Sequence, residues 1–459
     1  MCYDHAEQGG DAVVLKRKVY QKLLDWKRTR KGKSALLLKG ARRVGKTFLC
    51  DQFGKNEYRS MIFIDFAYIA KEIIDVFENE STNLDLFFSK LSTYYKTKLY
   101  NRESLFVFDE VQRFPLARQL IKYLVADGRY DYIETGSLVS LRQNVKDIVI
   151  PSEEESLEMY ALDFEEFLWA MGDETTMPYI RDCYEQLRPL GQALHRKVMN
   201  DFRQYLLVGG MPQSVIEYAE SRDFAAADSE KRRILELYRN DISKFAGRYE
   251  GRVVAIFDNI PGQLSKKEKT YRLSSINKDA RMRRYEDAFF WLDDAMIVNA
   301  CYNATDPSIG LALSSDHNTQ KIYMADSGLL VMHTFRDSDY IDNELYRAIL
   351  FNKLGVNEGM IMENAVAQML RSNGHRLYFY SRYARNDRSE TMEIDFLITK
   401  NKRISPIEVK SSYYKEHSSL DKFRKKFRSK LGDAYILYQK DILVKEGVIH
   451  LPIYMATLL

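Results

Sequence analysis

An α/β protein is predicted for this 459-residue chain, and three observations predict it. Short apolar runs alternate with amphipathic stretches over roughly the first 136 residues. A glycine-containing turn ending in Lys-Thr follows the first of those runs. A second alternating series fills about the last hundred residues. Strands alternating with helices imply a parallel sheet. In order, Val14–Arg28 reads as an amphipathic helix, with Leu15, Tyr20, Leu23, Leu24 and Trp26 among polar residues. Ser34–Lys39 is a short buried strand, Gly40–Thr47 the turn, and Phe48–Phe53 helical. Met61–Phe66, Ser104–Asp109 and Tyr130–Thr135 read as the next strands, with helices over Leu84–Leu99 and Leu116–Ala126. From Ser156 to Lys244 the pattern is mostly helical. From Gly251 to Asp326 helices lead into short strands at Met296–Tyr302 and Lys321–Ala325. Beyond Gly359, a helix over Glu363–Asn373 precedes strands at Arg376–Tyr383, Glu393–Thr399 and Ser405–Lys410. A basic helix, Leu420–Leu431, and a strand, Ala434–Tyr438, follow. The expected units are 1–155, 156–245, 246–340 and 341–459.

Composition excludes several classes. Hydrophobic residues are 45% and charged residues 29%, which argues against disordered and fibrous chains. No apolar run approaches the ~18 residues of a membrane span, and Met1–Asp11 lacks an apolar signal core, so no membrane association and a cytoplasmic location are expected. Cys2, Cys50, Cys183 and Cys301 lie far apart and read as reduced thiols. The net charge is +4, but residues 341–459 carry 20 Lys and Arg against 14 Asp and Glu, or +6, leaving −2 for the rest. Asp421–Lys430 alone holds six of those cations. That distribution is compatible with a polyanion partner.

Gly40-Ala41-Arg42-Arg43-Val44-Gly45-Lys46-Thr47 satisfies G-x-x-x-x-G-K-T. Glycines let the backbone curl so that N–H groups face phosphate oxygens, and the following helix, entered at Phe48, aims its N-terminus at the same anion. Lys46 is suited to the β- and γ-phosphates and the Thr47 hydroxyl to Mg²⁺. Asp109 and Glu110 end the buried run Leu105–Phe108, where open α/β sheets place their ligand chemistry. Asp109 is expected in the Mg²⁺ shell and Glu110 as the group that orients and deprotonates the attacking water. Thr135 and Ser137, around Gly136, are placed to sense a γ-phosphate or hold that water. Arg113, Arg118 and Arg142 are the candidates for a transition-state arginine.

Two further regions carry chemistry. Ile256–Cys301 reads as helix, turn, helix and strand pair, a winged-helix-like pattern in which Lys278, Arg281, Arg283 and Arg284 contact phosphates. Tyr285, Phe289 and Leu292 read as core, Leu162–Leu168 as a docking helix, and His195 as structural. Farther on, Asp395 lies early in an apolar strand, and Glu408 and Lys410 share one face of the next. Two carboxylates and a lysine so placed suit a Mg²⁺ ion that activates water against a phosphodiester, with Lys410 positioning the nucleophile. Ser411, Ser412 and Tyr413 could add phosphate contacts.

Gly40–Thr47, Phe106–Gln112, Thr135–Ser137, Leu162–Leu168, Tyr205–Pro212, Lys321–Leu330, Met362–Leu370 and Glu393–Lys410 follow one another in an order that resembles a large family of prokaryotic AAA-like ATPases. In that family the ATPase is fused to a C-terminal domain of unknown function similar to PD-(D/E)XK nucleases. The resemblance implies an ATP-binding P-loop NTPase sheet and a nuclease-like α/β domain; the helical extension and the winged-helix-like middle module between them are read from the residue pattern. Asp395, Glu408 and Lys410 match the nuclease signature, and Glu363 matches an additional metal-binding acid. Ile150–Glu155 departs from it, being acidic with no arginine where relatives often carry a Gly-Arg pair. The expected function is an ATPase using ATP and Mg²⁺, coupled to a DNA-binding and Mg²⁺-dependent nuclease region, with homo-oligomers compatible. The alternative is a nucleotide-switched adaptor whose nuclease-like domain is a non-catalytic scaffold.

Overall fold

The computed structural model describes residues 14–136, 152–266, 270–276, 281–335, 358–382, 391–410 and 418–459. Its N-terminal sheet is built from β1 (Ala35–Lys39), β2 (Ser60–Asp65), β3 (Ser104–Asp109), β4 (Asp131–Gly136) and β5 (Glu154–Glu158), in the order β2-β3-β4-β1-β5. Every ladder in it is parallel. Side chains alternate between the faces of a strand, so Phe106 and Phe108 enter one core and Leu105 and Val107 the other. The first core is aromatic: Phe77 packs edge-on against Phe66, Phe87 and Phe108, an arrangement that suits the quadrupoles of the rings.

β5 differs from the expectation, which took the segment from Ser156 as helical. Its sequence, Glu-Glu-Ser-Leu-Glu, has no apolar alternation; its register on β1 pairs Ala35 with Glu154 and Lys39 with Glu158. An edge strand facing charge rather than core leaves no hydrophobic period to read.

The next part is helical: Phe164–Ala170, Thr176–Glu185, Gln192–Val208, Pro212–Ser221, Phe224–Phe245 and Glu250–Ser265. Asp163 and Glu166 form a capping box at the first of these helices. The same acids hold the N-terminal segment, since Lys18 Nζ lies 2.6 Å from both Asp163 and Glu165 and Arg17 reaches Glu166 at 3.2 Å. Leu162–Leu168 is therefore a docking element. His195 ties the helical part to the C-terminal strands, through the Tyr454 hydroxyl at 2.9 Å and the Gln439 carbonyl at 3.0 Å.

The second sheet comprises β6 (Val298–Ala304), β7 (Ser315–Met324), β8 (Leu377–Arg382), β9 (Met392–Lys400), β10 (Arg403–Val409), β11 (Ala434–Tyr438), β12 (Leu443–Lys445) and β13 (Val448–Pro452), ordered β12-β13-β11-β10-β9-β8-β6-β7. The helices Glu250–Ser265 and Met282–Asp294 precede β6 and β7. The strand pair is no free wing, however: β6 also pairs in parallel with β8. The sheet thus crosses the expected boundary at 340.

Close backbone contacts join these parts. A Cβ on Gly210 would lie 2.0 Å from the Leu162 carbonyl oxygen, and one on Gly328 2.5 Å from that of Val208. Asp326 sits between these turns, fully buried, and accepts from the Gly210 N–H at 2.6 Å and the Leu329 N–H at 2.9 Å. Gln368, on the helix Glu358–Ser372, bridges the Ser327 N–H and the Tyr205 hydroxyl. Among the described residues no helix is long and apolar enough to cross a membrane.

Candidate functional site

The loop Gly40–Thr47 links β1 to the helix Lys46–Glu57. Gly45 caps that helix at φ +96°, a left-handed conformation that glycine adopts without Cβ strain. The Lys46 ammonium is buried and donates to the Gly40 and Ala41 carbonyls at 2.9 and 3.0 Å; burial pushes its pKa down. The loop is braced from outside. Arg17 donates to the Val44 carbonyl at 3.0 Å, Arg42 pairs with Asp241 at 2.7 Å, and the Tyr238 hydroxyl donates to the Arg42 carbonyl. Arg43 and the half-exposed Phe48 line the mouth.

Parallel register sets the acids. Asp109 ends β3 beside Asp65 of β2, and the Thr47 hydroxyl lies 3.0 and 3.2 Å from its two oxygens. The Thr135 hydroxyl also donates to Asp109, while accepting from the Glu110 N–H at 3.3 Å. Burial and then the Glu110 charge push the Asp109 carboxyl up, against the hydrogen bonds from both threonines. Glu110 stands just past the strand at φ +53°, and its Oε2 accepts from the Gln112 side-chain amide at 2.6 Å. Gln112 is a contributor that the sequence reading quoted but gave no role. A hydroxyl and a carboxylate facing each other beside a phosphate loop are hard oxygen donors, and they fit Mg²⁺.

Arg118 is corrected as a candidate transition-state arginine. It is buried and grips Glu154 of β5 through two nitrogens at 2.9–3.2 Å, so it points into the sheet. Arg113 is exposed on the wall of the cleft. Ser137, Arg142, Lys278, Ser411, Ser412 and Tyr413 lie outside the described residues.

The loop opens into a cleft of about 2420 Å³. Its lining brings Lys46, Thr47, Asp109 and Glu110 together with Tyr238, Asp241 and Lys244 of the helix Phe224–Phe245 and with Trp291 and Ile297 of the middle part.

A second polar cluster lies on the C-terminal sheet. Glu363, Asp395, Glu408 and Lys410 come into electrostatic contact there, joined by two residues that the reading left out, Lys321 of β7 and Glu393 of β9. Lys321 Nζ is 3.0 Å from Glu363, 3.4 Å from Glu393 and 3.8 Å from Asp395. The Tyr323 hydroxyl donates to Glu363 as well. Asp395 Oδ2 accepts from the Val409 N–H at 2.8 Å, and Lys410 Nζ is 2.7 Å from Glu408. Burial, and after it the Glu363 charge, pushes the Asp395 carboxyl up to about 7. Burial is the largest influence and works against ionised Glu363, but Lys321, the Tyr323 hydroxyl and Lys410 together hold that carboxyl below its ordinary value. Among the described residues no three acids, histidines or cysteines are arranged to hold a metal ion.

In the middle part, Arg281, Arg283 and Arg284 are exposed at the start of their helix, while Phe289 and Leu292 are buried and Tyr285 partly so.

Sheet order, phosphate loop and the acids at the end of β3 have the arrangement of a P-loop nucleotide-binding domain. In keeping with this, residues 32–168 match the family described as AAA domain. Residues 199–339 and 358–455 match two families described as domains of unknown function, DUF8612 and DUF4143. Among solved structures the chain is similar to the Walker-type ATPase PABY2304 of Pyrococcus abyssi, at 18% identity and a TM-score of 0.42, over 70% of this chain and 96% of that one. It is also similar to the AMPPCP-bound DnaA of Aquifex aeolicus (12%, TM-score 0.30, 74% and 96%) and to the Aeropyrum pernix ORC1 protein in complex with DNA (12%, TM-score 0.28, 72% and 95%). No match is found among curated proteins.

Proposed function

We propose that the chain is an ATP-hydrolysing switch whose nucleotide state sets the position of its helical and C-terminal parts, with nucleic acid, most readily DNA, as the partner that those parts engage. The observation that carries this reading is the shared lining of the cleft. Tyr238, Asp241 and Lys244 of the helix Phe224–Phe245 line it together with the phosphate loop, and Asp241 and Tyr238 are bonded to Arg42 of that loop, so an occupant of the loop would bear on this helix.

In this reading Lys46 releases the loop carbonyls and takes up phosphate oxygens, and the N–H groups at the start of the helix Lys46–Glu57 complete the cradle. Thr47 and Asp109 would hold Mg²⁺, which when bound neutralises charge on the β- and γ-phosphates. Glu110, steadied by Gln112, accepts the proton of the attacking water. The exposed Arg281, Arg283 and Arg284 supply phosphate contacts to a nucleic acid, as does the basic helix Ser418–Lys426.

Titration with a fluorescent ATP analogue, steady-state ATPase assays, and DNA binding with ATP or ADP test the proposal together. Lys46→Ala is expected to abolish nucleotide binding, and DNA affinity is expected to differ between the ATP and ADP states. ATPase activity unchanged in Lys46→Ala would sink it.

A further inference from the structure

The nuclease-like pattern calls for a divalent cation among Glu363, Asp395 and Glu408, and the side chains around those acids do not fit one. Mg²⁺ takes oxygen ligands at ~2.0–2.1 Å in near-octahedral order and keeps several waters. The point that Glu363, Glu393 and Asp395 share is held instead by the ammonium of Lys321. Lys321 is 7% exposed, and its Nζ lies 5.4 Å from the centre of the Phe379 ring. One oxygen of each acid is engaged as well: Glu363 Oε1 by Lys321 and Tyr323, Asp395 Oδ2 by the Val409 N–H, and Glu408 Oε2 by the Lys410 ammonium. A second, doubly charged ion at the same point would face an ammonium that has no aqueous position to retreat to.

We infer that Lys321 is the built-in cation of this acid cluster, taking the place that a divalent metal would need, and that the cluster is a metal-free ion-pair lock joining β7, the helix Glu358–Ser372 and β9. The inference stands on its own geometry and does not depend on the ATPase reading. Its chemical consequence is that no metal-bound water forms at Asp395 and Glu408, so this unit does not cut phosphodiesters by that route. Burial opposes the charge on Lys321, yet its three carboxylate neighbours hold its pKa above the ordinary lysine value, which keeps the ammonium in place across the physiological range.

Manganese binding to the full, nucleotide-free chain tests this, followed by loss of the free-ion paramagnetic resonance signal. The wild-type protein is expected to take up no Mn²⁺ that depends on Asp395. Lys321→Ala is expected to gain one Mn²⁺ equivalent, and Lys321→Ala combined with Asp395→Asn to lose it again. Uptake by the wild-type chain that vanishes in Asp395→Asn and persists in Asp109→Asn would overturn the inference, and this comparison decides even if Lys321→Ala does not fold. A folded Lys321→Ala that binds no Mn²⁺ would overturn the role given to Lys321.

Discussion

At the scale of single residues, the two acids at the end of β3 differ in exposure and partners, and so in the work they can do. Asp109 is buried between two threonine hydroxyls, whereas Glu110 reaches the cleft with Gln112 as its orienting partner. Glu110→Gln is therefore expected to keep nucleotide affinity within a few-fold of wild type while lowering the hydrolysis rate by ~10²–10⁴-fold. Nucleotide titration beside single-turnover hydrolysis separates the two effects. Asp395 gives a pH signature. Its folded pKa is about 7 against an ordinary 3.8. Between those values the native state keeps a proton that the unfolded chain has released. Stability therefore falls as pH rises through that window. Asp395→Asn removes this slope, so its melting temperature relative to wild type is expected to be higher at pH 8 than at pH 5. Legibility also varies residue by residue. Lys46, Thr47, Asp109 and Glu110 stand in a contiguous motif and could be read directly. Lys321 could not, because its meaning comes from acids 42 to 74 residues later in the chain, brought to it only by the sheet.

At the scale of elements, β5 shows how a strand can be held by charge. Arg118, from the helix Pro115–Asp127, reaches Glu154 on β5, and Glu134 of β4 lies fully buried beside that pair. Burial, followed by the closeness of Glu154, pushes the Glu134 carboxyl well above its ordinary range. Removing one partner of a buried pair leaves the other charge unpaired, so Arg118→Ala is expected to cost ~3–5 kcal/mol of stability, measured by denaturant unfolding. The ATPase rate per folded molecule is expected to stay near wild type, because Arg118 faces away from the cleft. β1 and β3 were legible from their apolar runs; β5 carries no such run, and in β12 Leu443 and Val444 are half exposed. Hydrophobic period marks the centre of a sheet better than its edges.

At the scale of the whole molecule, one hydrophobic core runs from the N-terminal helix through the back of the first sheet and the helical part to the second sheet. The interlocked turns at Gly209–Gly210 and Asp326–Gly328 lie inside it, so motion driven by nucleotide is expected at the cleft rather than within this block. Asp241→Ala removes the charged one of two direct ties between the phosphate loop and the helix Phe224–Phe245, leaving the Tyr238 hydrogen bond. It is expected to weaken the dependence of DNA affinity on nucleotide more than nucleotide affinity itself, a split that paired titrations resolve. If the exposed arginines contact phosphates, Arg283→Ala with Arg284→Ala is expected to flatten the plot of log affinity against log salt by ~0.9 per lost contact.

The pairing of β6 with β8 also bears on how this protein is made. Cys301 and Leu377 are neighbours in a parallel ladder although 76 residues separate them. At ~5–20 residues per second, a ribosome needs on the order of 4–15 s to supply the second strand after the first. Once β7 has followed, β6 has that strand on one side and, until β8 arrives, bare backbone N–H and C=O groups on the other, an invitation to pair with another chain. Synthesis of this protein thus passes through a sticky stage late in translation. Its yield is expected to rise when translation is slowed by low temperature or when a holdase chaperone is supplied, with the soluble fraction as the readout.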